Sequence, residues 1–198
     1  MTDTRARDGS AIVLENLGLN NNYSPVARTT SWSGTAGAFG FVTLAYPTER
    51  RSDGTTVVVS GASVPYATCS AFEYGGRALS SWSEFSVDGH WVKVSRRRLA
   101  VTRRGRSLRL RVAGRRYRYG QAGSLLRHEL SRDGATVVME RSSWSDPATL
   151  SGGWRGEADG MDVALALLLE GVYTRHLSLA GALVSLPGRF LSAVGSLG

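Results

Sequence analysis

The residues best able to do chemistry in this 198-residue chain are its arginines, and their placement says more than their number. Between Asp88 and Glu129 there is no acidic residue, yet there are thirteen Lys or Arg. Clustered guanidinium groups attract polyanions: lipid headgroups, nucleic-acid phosphates or an acidic protein. Catalytic constellations are sparse by comparison. His90, His128 and His176 fall in no metal-ligand spacing, and His128-Glu129 lacks the second histidine of a zinc-protease helix. There is no phosphate-binding glycine loop with lysine and no Gly-x-Ser-x-Gly elbow. Cys69, the only cysteine, sits in the strand-like run Tyr66-Ala67-Thr68-Cys69-Ser70-Ala71-Phe72 and reads as a buried, inert thiol. The expectation is a protein that is not an enzyme, with no catalytic residues, no metal site and no cofactor.

Strand alternation sorts the basic block into faces. In Ser107-Leu108-Arg109-Leu110-Arg111-Val112 the apolar residues share one face, and Arg109 and Arg111 share the other. Arg116 and Arg118 alternate with Tyr117 and Tyr119, while Leu99 and Val101 oppose Arg98 and Arg104. If these strands are neighbours, one wall of a sheet carries Arg98, Arg104, Arg109, Arg111, Arg116 and Arg118. Tyr117 and Tyr119 fall on the opposite face, which makes them core residues rather than platforms for stacked bases. All basic residues but Lys93 are arginine, the mark of a GC-rich coding bias, so their total is the weaker clue.

Positioning that wall takes a core, and its centre is legible. Val163 to Leu169 are seven apolar residues in a row between Asp162 and Glu170. A surface helix would show a polar stripe; this one has none and must be enclosed. Asp162 stands where an N-cap or first-turn carboxylate belongs, and Gly171 where a helix stops. Before it lie β-favouring runs near 38–46, 55–60, 65–73, 81–87, 90–95, 98–103, 107–112, 115–120, 124–130, 135–141 and 149–155, with Ala11 to Leu19 a possible first strand. Asp-Gly at 53–54, 88–89 and 133–134 separates them as hairpin turns do. The predicted architecture is mostly β: an antiparallel meander closed into a barrel around one buried hydrophobic C-terminal helix, followed by a short helical tail. Residues 1–37 are loosely assigned, 38–175 form the barrel with its helix, and 177–198 form the apolar tail. Neither half of that tail reaches the length of a bilayer span, but Leu183, Leu186, Phe190 and Val194 would line one stripe for a protein partner.

A strand-rich body followed by Asp162-Val163-Ala164-Leu165-Ala166-Leu167-Leu168-Leu169 resembles the tubby-like group, which includes tubby C-terminal domains, phospholipid scramblases and LURP-one-related proteins. Arg127 to Val138 looks like that group's late hairpin. The resemblance implies a twelve-stranded barrel around a central helix, and binding to phosphoinositides or membrane surfaces through a basic wall, or an unassigned bacterial role. It carries over no scramblase activity, since no calcium-site residues match.

With 42% hydrophobic and 20% charged residues and a net charge of +8, the composition is that of one globular, basic domain. The first ten residues lack the apolar core of a signal peptide, so a cytoplasmic protein is expected, with peripheral contact to membrane. Three roles follow. The first is a non-enzymatic module docking on anionic membrane lipids through the arginine-rich face. The second is nucleic-acid binding by that face. The third is an assembly subunit bound to a partner through its tail.

Overall fold

A helix without a polar side persists only where every side is covered, because so short a segment draws its stability from packing. The computed structural model describes residues 11–19, 29–47, 55–72, 84–95, 107–143 and 148–172. In it the apolar run lies in helix α1 (Gly160–Val172). Val163, Ala164, Leu165, Ala166, Leu167, Leu168 and Leu169 are all fully buried. Around it run β1 (Ala11–Leu19), β2 (Thr29–Ala36), β3 (Phe41–Pro47), β4 (Thr55–Gly61), β5 (Ala67–Phe72), β6 (Glu84–Val87) and β7 (His90–Trp91). They continue as β8 (Lys93–Ser95), β9 (Leu108–Val112), β10 (Arg115–Gln121), β11 (Arg127–Arg132), β12 (Ala135–Arg141) and β13 (Thr149–Gly156). The helix touches β3, β4, β5 and β6 on one side and β11 and β12 on another, so the sheet wraps it.

The thirteen strands form one sheet ordered β7-β6-β5-β4-β3-β2-β1-β13-β12-β11-β10-β9-β8, with every pair antiparallel. Its two ends are consecutive in the chain, with only Val92 between them. Residues 90–91 pair with β6, through Ser86↔Trp91 and Val87↔His90. Residues 93–95 pair with β9, through Lys93↔Arg111, Val94↔Leu110 and Ser95↔Arg109. The run 90–95 thus changes partner midway and draws the sheet into a nearly closed barrel, leaving little open edge.

Two hairpins show how local chemistry sets register. Asp88 and Gly89 (φ 52° and 72°) and Ala113 and Gly114 (φ 46° and 77°) both have the paired left-handed conformation that matches strand twist in a two-residue turn. The Asp-Gly turn at 88–89 is as expected, and so is that at 133–134, which joins β11 to β12 beside the Arg132↔Ala135 pair; Asp-Gly 53–54 and the run 98–103 lie outside the described residues. The sheet begins earlier than residue 38, because β1 and β2 sit between β3 and β13. Gly171 is no stop signal. The helix runs through it, and a Cβ there would meet Val57 Cγ1 at 2.6 Å and Leu44 Cδ1 at 2.9 Å, so glycine lets α1 approach β3 and β4 closely.

Candidate functional site

Strand β10 explains how a basic face and a greasy core share one wall. Tyr117 and Tyr119 are buried, while Arg116 and Arg118 between and beside them are exposed. On β9, Leu108, Leu110 and Val112 point in and Arg109 and Arg111 point out. Cross-strand register then fixes which cations meet. Arg111 lies opposite both Arg116 and Lys93, and Arg109 lies opposite Arg118. The result is two rows of outward cations over a shallow hollow of about 670 Å³. Among the described residues, none of these five cations lies within ion-pair distance of a carboxylate, and Asp133 is the one acidic residue lining the hollow. Like charges directly opposite on a sheet are destabilising. This face therefore costs the fold something.

Other arginines are used differently. Asp159 caps α1, accepting from Met161 N at 3.1 Å and Asp162 N at 3.2 Å, while Asp162 Oδ2 accepts from Asp159 N at 2.9 Å. Asp162 is thus a first-turn carboxylate in a reciprocal cap rather than the cap itself. It also accepts from Tyr117 Oη at 3.0 Å and from both Arg132 Nε and Nη2, at 2.9 and 2.8 Å. Arg115 Nη1 pairs with Asp159 Oδ2 at 2.5 Å. Asp159 is partly buried, which opposes ionisation, but Arg115 outweighs this and holds its carboxyl below the usual range.

At the other end of α1, Glu170 is fully buried. It accepts from Tyr119 Oη at 2.6 Å and Arg141 Nε at 2.7 Å, and Arg141 Nη2 also donates to its backbone carbonyl. His128 Nδ1 is 3.0 Å from Glu170 Oε1. Burial alone would raise this carboxyl; Arg141 first, then His128 and Tyr119, reverse the effect and hold it at about 2. Burial pushes the Tyr117 hydroxyl up to about 12, and burial beside Glu170 raises Tyr119 well above the ordinary value. These two carboxylates and their partners clamp the rod at both ends.

The sequence-derived set divides accordingly. Arg109, Arg111, Arg116 and Arg118 come together on one exposed face, while Arg98 and Arg104 lie outside the described residues, as do His176 and the tail with Leu183, Leu186, Phe190 and Val194. Lys93 joins the face, and only register reveals it. Tyr117 and Tyr119 are inward as expected, but their carboxylate partners were not foreseen. The signal was present: two carboxylates flank a run that must be buried, and a buried phenol needs an acceptor. Cys69 is buried, and burial pushes its thiol up to about 12. Among the described residues no three of His, Cys, Asp and Glu gather as a metal site requires, and no helix is long and apolar enough to cross a membrane. Compared with known proteins, the chain matches no family model, no curated protein and no solved structure.

Proposed function

We propose that the protein is a binding module, not an enzyme, that docks on anionic membrane lipids through the outer face of β8, β9 and β10. One observation carries this reading: five exposed cations aligned in two cross-strand rows, none paired with a carboxylate among the described residues. A broad, shallow face suits the plane of phosphates and carboxylates that a bilayer presents. The likeness to the tubby-like group supports it more coarsely. That group also closes strands around an apolar C-terminal helix, and with β7 and β8 counted as halves of one path, the thirteen strands among the described residues become twelve. Nucleic-acid binding is less favoured, because the tyrosines that alternate with the cations are turned into the core rather than offered to bases.

The test is cosedimentation with phosphatidylcholine vesicles, with and without phosphatidylserine, across a salt series. Binding should require the anionic lipid and weaken steadily as salt rises. Binding that ignores phosphatidylserine would overturn the proposal. Binding to an oligonucleotide that anionic vesicles fail to compete away would replace it with the nucleic-acid reading.

A further inference from the structure

Beside the basic rows the outer surface changes character. Phe41, Tyr66 and Trp91 are 59%, 60% and 64% exposed, although rings of this size normally bury most of their area. They are far apart in sequence, yet strand pairing sets them on one arc. Thr43 pairs with Ser60 and Val59 with Ala67, so Tyr66 continues the Thr43–Ser60 row and Phe41 lies two residues from it on β3. Asp88 N donates to Tyr66 O at 2.8 Å and Ser86 pairs with Trp91, which puts Trp91 two residues off the same row in the opposite sense, on β7. Each ring is therefore two strands over and two residues along from the last. That diagonal follows the stagger by which the tilted strands close, so the three rings sit at one level around the barrel. The level is the rim where α1 begins, since Gly160 packs on Ser63 and Pro65, next to Tyr66.

The arc runs directly into the cations. Trp91 and Lys93 are two residues apart on the outward side of the run 90–95, and Lys93 opens the row that continues through Arg111 and Arg116. Rings at one level with cations beside them match the boundary between headgroups and acyl chains, where the ring settles in the apolar margin and the cations meet phosphates. We infer that Phe41, Tyr66 and Trp91 insert into the headgroup margin of the bilayer that the cations hold, orienting the barrel with the α1-entry rim toward the membrane. This rests on the membrane-docking reading and adds an apolar anchor and a fixed orientation to it.

Two measurements test it on the full chain. In the first, affinity for phosphatidylserine-containing vesicles is followed across a salt series for the wild type and Trp91→Ala. Losing the inserted part of the ring, at about 25 cal/mol per Å² of apolar surface, predicts a loss of about tenfold or more, appearing as a parallel shift of the salt plot rather than a change in its slope. In the second, vesicles carrying phosphatidylcholine brominated near the glycerol end of its chains should quench the wild type more than Trp91→Phe. Vesicle binding with no loss in Trp91→Ala and equal quenching in both proteins would overturn the insertion while leaving cation-driven docking intact. No vesicle binding by the wild type would remove the docking and the insertion together.

Discussion

Reversing Arg109 and Arg111 to glutamate separates stability from binding in a way that only an apposed basic face allows. At present Arg109 faces Arg118, and Arg111 faces both Arg116 and Lys93, giving three like-charge oppositions. In the double variant all three become opposite-charge pairs. Each cross-strand pair is worth about 0.2–1 kcal/mol, at the lower end when exposed and screened, so the swap should stabilise the fold by about 1 kcal/mol. At a membrane the same swap removes two cations and adds two anions. At about 1 kcal/mol per charge near the surface, affinity for phosphatidylserine vesicles should fall roughly a thousandfold. Urea unfolding followed by tryptophan fluorescence reads the first effect, and vesicle cosedimentation the second. A variant that is folded, no more stable than the wild type and still vesicle-bound would refute both the register argument and the role given to the face.

Three further changes probe the core and one of the turns that hold this face. Glu170→Gln should lose about 3 kcal/mol at neutral pH, because Arg141 is left without its carboxylate inside the barrel. A carboxyl held at about 2 instead of 4.5 contributes fully above pH 4.5 and loses that contribution as pH falls toward 2, so wild type and variant should converge across that window in urea titrations. Leu167→Ala, at a fully buried position in the middle of α1, should cost about 3–4 kcal/mol in the same assay, since neighbouring strands cannot collapse into the space. Ala113→Asn should raise the thermal midpoint, gaining about 0.5–1 kcal/mol, because Ala113 holds a left-handed φ of 46° in its turn and asparagine tolerates that region better.

The parts of this molecule that could be read in advance are those set by local pattern. An apolar run with no polar face demanded enclosure, and it is enclosed; alternation on β9 and β10 placed arginines outward and tyrosines inward. What escaped is non-local. Strand β2 is rich in Ser, Thr and Gly and shows no clear alternation. Its Gly34 is there because the Val13 carbonyl lies where a Cβ would sit, a demand of the neighbouring strand and invisible in the segment itself. The run 90–95 looks like one strand because its alternation is continuous; its change of partner at Val92 depends on how the barrel closes. For the same reason Lys93 and the aromatic arc appear only once register is known.

The separation of paired from unpaired arginines follows from the barrel itself. The acids that engage Arg115, Arg132 and Arg141 all come from α1 or its cap, and so lie inside or at the mouth of the barrel. Arg115 begins β10, and Arg132 and Arg141 end β11 and β12, positions from which a long side chain can turn inward around the end of a strand. Arg109, Arg111, Arg116 and Arg118 instead project from within their strands, with the thickness of the sheet between them and the helix carboxylates. Their own stretch of chain, from Asp88 to Glu129, supplies no acid to neutralise them. Clamping the helix and leaving a charged face open are therefore compatible within one strand: on β10, Tyr117 and Tyr119 hold Asp162 and Glu170 from the residues that alternate with the outward cations.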